Sequence, residues 1–223
     1  MADTLPALPP PLIQPLGDRG LIVRFATTLS DAANRATIAF AALLREALPV
    51  GVSEVDPNLV SVLLKYDPET VGYEQLAGEV RILLRQAETV ELAPTRHRIP
   101  VRFGAEAGPD LEGVAESLGL TPEAFVARHN LAPLRVLTTG FAPGFVYCGF
   151  HAEDLALPRR ATVRQSVPAG TVLFAARQTA IAATAIPTGW HVIGHTGFVN
   201  FDPAADPPTR LREGDEIVFE AVA

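Results

Sequence analysis

A ten-residue run, residues 140–149, constrains the fold of this chain more than any other sequence feature. It reads Gly-Phe-Ala-Pro-Gly-Phe-Val-Tyr-Cys-Gly, with three glycines, one proline and three aromatic residues. Glycine permits backbone angles that are closed to other residues, and proline fixes φ, so the run is not expected to form regular secondary structure. We predict a shaped loop built to approach a ligand or a second chain, with a tight barrel corner as the alternative.

The composition limits the class of protein. With 223 residues and 48% hydrophobic content, the chain can bury a sizeable core in two small domains or one large one. A formal charge of −7 argues against a nucleic acid or an anionic membrane as the partner. The single cysteine, Cys148, excludes an internal disulfide and fits a reducing, cytoplasmic compartment. The most apolar later segment, 171–187, contains Arg177 and Gln178 and is too short and polar to span a bilayer.

The first half of the chain predicts an α/β lobe. Residues 1–16 are rich in proline and contain no basic residue, which predicts a disordered lead-in and no signal peptide. β-rich runs at 21–25, 52–55, 59–66 and 98–103 alternate with two amphipathic helical patterns. The first helix begins after Ser30 with apolar Phe40, Ala41, Leu44 and Leu48, and the second covers 76–87. The order β-α-β-β-α-β predicts a ferredoxin-like lobe over 17–95, with a hinge at 91–95.

The second half predicts a β-barrel over residues 96–223. Two short helices are expected at 110–118 and 121–129, the latter capped by Thr121 with Pro122 at its first position. Short β-rich runs then alternate with Gly/Pro turns, at 135–139, 171–175, 181–186, 191–193, 198–201 and 216–221. This spacing is typical of a closed barrel.

Common catalytic signatures are missing from the sequence. No Gly-x-x-x-x-Gly-Lys-Ser/Thr run is present for nucleotide phosphates. His151 and Glu153 resemble part of a zinc deaminase motif, but a single cysteine cannot complete the ligand set, so we predict no metal site. Cys148 is either a nucleophile or a packed apolar side chain, and the lack of a neighbour able to lower its pKa favours packing.

Two arginines are candidates for anion binding. Arg159 and Arg164 have planar, permanently charged guanidinium groups suited to a carboxylate or a phosphate. The alternative is a solvated ion pair with Asp154 or Glu153.

Three further side chains allow two interpretations. His191 and His195 would point the same way from an extended strand, and could share a proton or simply be surface residues. Trp190 is either a stacking platform for a ligand or a core anchor, and we favour the anchor.

The motifs around these residues resemble a known family. The loop at 140–149 is followed by Pro158-Arg159-Arg160, by residues 166–172, by Gln178-Thr179 and by residues 189–196, and the tail continues through 201–203 and 211–219. In this order and spacing they resemble the B subunit of 5-oxoprolinase, also called the KipI or allophanate hydrolase subunit 1 family, of the carboxyltransferase domain type. The resemblance covers nearly the whole chain. It implies an α+β fold, with a ferredoxin-like lobe followed by a cyclophilin-like barrel.

The resemblance also implies a function. In that family the B subunit pairs with a homologous C subunit and works with a third component. Together they open 5-oxoproline to glutamate with hydrolysis of ATP, which is bound through the complex. On this reading the chain is inactive alone. Two alternatives stay open: a regulatory protein of the histidine-kinase-inhibitor type, and a carboxyltransferase or allophanate-hydrolase-like component.

The family positions supply candidate site residues. As catalytic residues the resemblance implies Arg159, Gln178 and His195. As substrate-binding residues it implies Gly140, Phe141, Pro143, Gly144, Phe145, Tyr147, Arg164, Thr179, Gly189, Trp190 and Thr196. We expect the loop at 140–149 to line a cleft that the homologous C subunit completes.

Three positions depart from the family pattern. Ala180 replaces a glycine, Thr188 replaces a glycine before the Gly-Trp pair, and His195 replaces an arginine. An arginine replaced by His195 would make anion binding dependent on pH. The fold is expected to survive these changes, whereas the identity of the substrate is open.

Overall fold

The computed structural model describes residues 8–87 and 93–222. The chain divides into two compact units, with the boundary between Ala93 and Pro94. Residues 1–7 of the predicted lead-in and residues 91–92 of the predicted hinge lie outside the described residues.

The N-terminal unit is a four-stranded antiparallel sheet with two helices. Its strands are β1 (Leu12–Leu16), β2 (Gly20–Arg24), β3 (Val52–Pro57) and β4 (Ser61–Tyr66), in the order β1-β2-β4-β3. The helices are α1 (Asp31–Glu46) and α2 (Tyr73–Ala87).

Local sequence signals account for these elements. Ser30 caps α1, because its side-chain oxygen accepts a hydrogen bond from the Ala33 N–H. The apolar stripes of the two helices and alternate residues of β2 and β4 are buried in one core. That core includes Leu21, Val23, Phe40, Leu44, Val62, Leu64, Leu76 and Val80. Leu48, which the helical pattern included, lies beyond the end of α1 and is exposed.

The lead-in prediction is wrong for residues 12–16. These residues form β1, which pairs with β2 from Leu12↔Arg24 to Leu16↔Gly20 across a turn at Gly17. Pro15 is compatible with this pairing because β1 is an edge strand, where a missing N–H is tolerated. β1 therefore supplies a strand of this sheet that was not predicted, whereas the run at 98–103, predicted as the last strand of the β-α-β-β-α-β order, is not part of it. That run belongs to the second unit.

The C-terminal unit is a closed barrel of seven strands. Their order is β10-β7-β6-β13-β5-β12-β9. The strands are β5 (Arg96–Phe103), β6 (Leu134–Thr139), β7 (Val146–Gly149), β9 (Thr171–Ala175), β10 (Gln178–Ile181), β12 (His191–His195) and β13 (Glu216–Ala221). A separate pair is formed by β8 (Arg164–Val167) and β11 (Ile186–Thr188). Helices α3 (Leu111–Ser117) and α4 (Pro122–His129) and a 3₁₀ turn (Glu153–Leu155) complete the unit. The predicted α+β class, with an α/β lobe followed by a barrel, is confirmed.

Side-chain alternation divides the barrel residues between two cores. All seven strands contribute to the larger cluster, which is therefore the barrel interior; it includes Ile99, Val136, Cys148, Phe174, Ile181, Ile193 and Phe219. A second cluster lies on the opposite face of the same strands and is covered by β8 and β11. It includes Phe145, Val167, Leu173, Ala180, Ile186 and Trp190.

Several predicted β segments differ from the observed ones. The run at 181–186 divides between the end of β10 and the start of β11, and 198–201 contributes only an isolated bridge between Phe201 and Thr209. The predicted loop at 140–149 is irregular only up to Phe145, because 146–149 form β7. Pairing with β6 and β10 in the barrel outweighs the local glycine content of this segment.

Candidate functional site

An open cleft of about 920 Å³ lies on the outside of the barrel. Its walls come from the loop after β5, from β8 and the residues after it, and from the end of β12. Among the predicted site residues it contains Arg164 and His195. The lining residues are Arg102, Phe103, Gly104, Ala105, Glu106, Ala107, Pro109, Arg164, Ser166, Val167, Pro168, Thr171, Val192, His195 and Val222.

A row of three polar residues crosses three neighbouring strands in this cleft. His195 on β12 is directly opposite Arg102 on β5 and Thr171 on β9. Residues paired in this way point to the same face of a sheet. The His195 Nε2–H donates to the carbonyl oxygen of Ala169 at 3.0 Å, so Nδ1 is the ring nitrogen left for another partner. The cleft therefore presents a guanidinium and an imidazole side by side.

Arg164 is held at the edge of the cleft by a largely buried carboxylate. Asp110 Oδ1 accepts hydrogen bonds from Arg160 and Arg164, each at 2.6 Å, and its Oδ2 accepts from the Val192 N–H at 2.8 Å. Burial alone would raise the pKa of Asp110, but the Val192 N–H and the two guanidinium groups outweigh it, and the pKa is lowered. The alternative left open by the sequence, an ion pair, is observed for Arg164, but its partner is Asp110 and not Glu153 or Asp154. One carboxylate here balances two arginines.

The predicted aromatic residues form a separate series of ring contacts. Phe141, Phe145, Tyr147 and Trp190 follow one another with ring centroids 5.5, 4.8 and 5.9 Å apart. Arg159 lies over the Trp190 ring, 5.7 Å from its centroid. Phe145 and Trp190 are buried, which agrees with the core-anchor interpretation of Trp190, whereas Phe141 is 70% exposed.

The loop that carries Phe141 is held by its backbone and by one buried amide. Phe141 and Gly144 both have positive φ, and a Cβ added at Gly144 would lie 2.5 Å from the Cβ of Phe201. The Asn200 side chain donates to the Gly144 carbonyl oxygen at 2.8 Å, and its Oδ1 accepts from the backbone N–H groups of residues 210 and 211. Sequence reasoning did not identify Asn200, because a single asparagine between apolar residues carries no local signal.

A third group of polar residues lies inside the barrel. The Oγ1 of Thr179 is 2.7 Å from His129 Nε2 and 2.8 Å from His151 Nε2, and His129 Nδ1 donates to Asn130 Oδ1 at 2.6 Å. Because His129 Nδ1 carries the hydrogen, Thr179 donates to His129 and accepts from His151. Burial lowers the pKa of His129 from 6.5 to about 4, and also lowers that of His151. Both imidazoles are neutral.

His129 was not among the predicted site residues, although the sequence contains a signal for its position. It lies four residues after Phe125 in α4, so both side chains face the same way, and both are buried. Cys148 also faces the barrel interior, and burial raises the pKa of its thiol, in agreement with the packing interpretation.

The structure therefore places the predicted site residues in three regions. Arg164 and His195 share the cleft, Arg159 and the aromatic residues share the outer cluster, and Thr179 is in the barrel interior. Gln178 begins β10 and points away from the Thr179 side, by strand alternation. Three of the remaining predicted residues form backbone hydrogen bonds. The Gly189 carbonyl oxygen accepts from the Arg160 N–H, and the N–H groups of Thr196 and Gly140 donate to the carbonyl oxygens of Gly170 and Phe145. Pro143 is exposed.

His191 and His195 do not share one face, contrary to the prediction. On β9, His191 pairs with Phe174 and His195 pairs with Thr171. These partners are three residues apart and so lie on opposite faces, because the register shifts by one residue between Val192 and Gly194. Such a bulge reverses the alternation of side chains. His191 instead bonds the Pro158 carbonyl oxygen through Nε2, at 3.0 Å.

Two kinds of feature are absent from the described residues. Across 8–87 and 93–222, no helix has the length and apolar character needed to cross a membrane. Within the same ranges, no three His, Cys, Asp or Glu side chains are grouped so that they could hold a metal ion.

These features define a class: an α+β protein whose closed barrel carries an open, cation-lined cleft on its outer surface. The family described as carboxyltransferase domain, subdomain C and D, matches residues 11–211. The B subunit of 5-oxoprolinase from Bacillus subtilis (strain 168) is 34% identical over 222 residues, covering 95% of this chain and 92% of that protein. The Escherichia coli O157:H7 protein of the same name is 39% identical over 162 residues, 73% of each chain. The chain belongs to the family of 5-oxoprolinase B subunits.

Solved structures agree with this assignment. TTHA0988 superimposes with a TM-score of 0.80 at 34% identity over 92% of this chain, which spans only 40% of the TTHA0988 chain. The K. lactis urea amidolyase superimposes with a TM-score of 0.74 over 96% of this chain and 15% of its own. At 14% identity, that likeness shows the fold alone.

Proposed function

We propose that this chain is one subunit of an ATP-dependent 5-oxoprolinase, which opens 5-oxoproline to glutamate together with a homologous C subunit and a third component. The observation that carries the proposal is the similarity, over most of the chain, to relatives named as the B subunit of 5-oxoprolinase. A name that specifies one subunit implies other subunits in those proteins. The longer TTHA0988 chain further supports a partner, because its matching region is part of a larger polypeptide.

The cleft is the best candidate for the substrate within this chain. Opening the lactam places negative charge on its carbonyl oxygen, and cations or N–H groups near that oxygen lower the barrier. Arg164 is in the cleft and its permanent charge suits this role. His195 is also in the cleft, but because its Nε2–H donates to Ala169, it suits this role only with a second proton on Nδ1. Arg159 and Gln178 lie outside its lining, so we propose that they act where the second chain completes the site.

ATP is assigned to the complex and not to this chain. The sequence has no glycine-rich run ending in Gly-Lys-Ser/Thr, so these residues do not fit a phosphate loop of that type. We therefore derive no step through ATP from the side chains described here. When bound in the complex, ATP would supply phosphorylation of the lactam oxygen.

The exposed part of the loop is proposed as the contact with the partner. Phe141 is exposed at the end of the aromatic series, whereas Phe145 contributes to the packed cluster behind it. Phe145→Ala would therefore remove core packing as well as any contact with the partner. Phe141 is the better probe.

The test of the function is reconstitution. This chain is co-expressed with its cognate C subunit and third component, and glutamate formation from 5-oxoproline is measured with and without ATP. We expect ATP-dependent turnover by the complex and none by this chain alone. Full activity of the isolated chain would contradict the two-chain proposal, and an inactive complex would favour the regulatory or carboxyltransferase alternative.

A further inference from the structure

We propose that the cleft binds the carboxylate group of its ligand and that Arg102, a residue absent from the predicted site, receives it. The identity of the ligand as 5-oxoproline rests on the proposed function, whereas the carboxylate site rests on the geometry of the barrel.

Three arginines lie on the exposed face of β5, and they differ in their partners. Arg96 pairs with Glu216 and Arg98 pairs with Glu220, both on the neighbouring strand β13. Arg102 is exposed and has no carboxylate within 4 Å among the described residues. The residue of β13 that continues past the last pair is Val222, whose N–H donates to the Val101 carbonyl oxygen. Arg102 is thus the arginine of this row without a counter-charge from β13.

The other neighbour of Arg102 is also not an acid. Across β12 it faces the imidazole of His195, which cannot neutralise a guanidinium. The Nε2–H of that ring donates to the Ala169 carbonyl oxygen instead. Among the described residues, neither neighbouring strand therefore offers Arg102 a carboxylate.

Among the described residues, the rest of the cleft does not supply an anion for Arg102 either. Asp110, the carboxylate behind the cleft, is already shared by Arg160 and Arg164 and by the Val192 N–H. Glu106 is the acidic side chain among the lining residues, and it balances at most one of the lining arginines. In a chain with a net charge of −7, this local excess of positive charge requires a reason.

The cleft wall beside Arg102 is packed closely against β12. Gly104 donates its N–H to the Ile193 carbonyl oxygen at 3.1 Å, and a Cβ added at Gly108 would lie 2.0 Å from that same oxygen. The loop after β5 is therefore in contact with the backbone of β12, which leaves no room for a side chain at Gly108. A site held this way is largely preformed, which reduces the ordering cost of binding a small ligand.

The site suits an anion with a single charge. A single unpaired guanidinium offers two parallel N–H donors and one positive charge, which match the two oxygens and the one negative charge of a carboxylate. The cleft volume of about 920 Å³ exceeds the size of a five-membered lactam and leaves its ring open to a second chain. 5-Oxoproline has one carboxylate and one lactam group, so binding the former at Arg102 would leave the latter free for reaction.

The experiment compares a carboxylate with its amide. The full chain is titrated calorimetrically with 5-oxoproline, with 5-oxoprolinamide, which lacks the charge, and with inorganic phosphate. We expect wild type to bind 5-oxoproline about tenfold or more tightly than the amide, and phosphate more weakly than 5-oxoproline. Arg102→Gln should remove this preference and Arg102→Lys should restore part of it. Arg81→Gln, which removes an exposed arginine of α2, should leave it unchanged.

The outcomes separate the carboxylate site from the proposed function. Any one of four results would overturn the site. Three concern wild type: no binding of 5-oxoproline, equal binding of the acid and the amide, or tighter binding of phosphate than of 5-oxoproline. The fourth such result is a preference for the acid that is retained in Arg102→Gln. Because Arg102 is exposed, the variant should fold, and its circular dichroism spectrum verifies this. If the reconstituted complex fails to turn over 5-oxoproline while Arg102-dependent discrimination persists, the function fails and the site stands. If the complex turns over 5-oxoproline but Arg102 makes no difference between the acid and the amide, the function stands and the carboxylate site fails.

Discussion

At the level of single residues, the two arginines first singled out by sequence have different surroundings. Arg164 is fixed to Asp110, together with Arg160, in a partly buried network. Arg159 is exposed and contacts the face of Trp190. Arg159 is therefore available to a ligand or a partner, whereas Arg164 also has a structural role.

The first prediction concerns Arg159. Arg159→Lys keeps the charge but removes the planar guanidinium that lies over the Trp190 ring and that would form paired hydrogen bonds with a ligand carboxylate. We expect kcat/KM of the reconstituted complex to fall by an amount equivalent to about 1–3 kcal/mol in transition-state stabilisation. Steady-state turnover of 5-oxoproline measures this, with Arg81→Lys as the control. Unchanged kcat/KM would remove Arg159 from the site.

The second prediction concerns Asp110. Asp110→Asn leaves two arginines without their shared counter-charge in a partly buried position. We expect a loss of about 1–3 kcal/mol in the free energy of unfolding at pH 7, measured by urea denaturation. The exposed Asp202→Asn should change it by less than about 0.5 kcal/mol. Equal free energies of unfolding for the two variants would show that the hydrogen bonds of Asp110 contribute little to stability.

At the level of strands and loops, the segment before β7 depends on a close approach of two backbones. Gly144 has a φ of 68° and touches the Phe201 segment, while Asn200 bonds its carbonyl oxygen. The loop is therefore shaped by contacts made within the C-terminal unit, and glycine is required at this position.

The third prediction tests that requirement. Gly144→Ala places a methyl group against Phe201 and forces a non-glycine residue to positive φ, so it should cost about 1–3 kcal/mol of stability. Gly197→Ala is the matched control, because nothing lies within 4 Å of its added Cβ and its φ is not positive. Thermal unfolding of both variants measures the difference. A Gly144→Ala protein as stable as Gly197→Ala would contradict the close approach.

The fourth prediction concerns the exposed tip of the same loop. Phe141→Ser should weaken co-purification of the C subunit with this chain, because it removes the most exposed aromatic ring of the loop without opening the core. Leu131→Ser is the control, since Leu131 is 83% exposed but lies outside the loop. Pull-down yields are compared at equal loading. Equal yields for both variants would place the partner elsewhere.

Considering the protein as a whole, the barrel interior is sensitive to acid. His129 and His151 are buried and neutral, joined through Thr179, with aromatic rings around them. An unfolded chain protonates its histidines below a pH of about 6.5, whereas folded His129, with its pKa lowered, stays neutral until about pH 4. The unfolded state therefore binds more protons in this window, and stability falls as the pH falls.

The fifth prediction measures this dependence. For His129 alone the loss is on the order of 3 kcal/mol between pH 6.5 and 4, at about 1.4 kcal/mol per pKa unit. We expect the free energy of unfolding, from urea titrations at several pH values, to show a flatter slope in His129→Gln. Leu131→Ser, which changes an exposed side chain and removes no titratable group, should keep the wild-type slope. Parallel pH profiles for wild type and His129→Gln would show that His129 does not cause the loss of stability at low pH.

Much of the fold followed from local signals in the sequence. Ser30 and Thr121 accept the capping hydrogen bonds expected of them, and the apolar stripes of α1 and α2 face the core. Motif order was sufficient to assign the family. These features depend on neighbours within a few residues or on a recognisable pattern, so they can be predicted without a structure.

Distant pairing decided the remaining features. β1 became a strand because β2 offered it an edge, and 146–149 became β7 because two barrel strands flank it. The bulge in β12 turned His195 away from the His191 side and toward Arg102, about ninety residues earlier in the chain. Register along a strand is set by all its partners at once, and a shift of one residue moves a side chain to the other face. Local patterns therefore defined most of the elements and the family, whereas only the closed barrel decided which charges meet in the cleft.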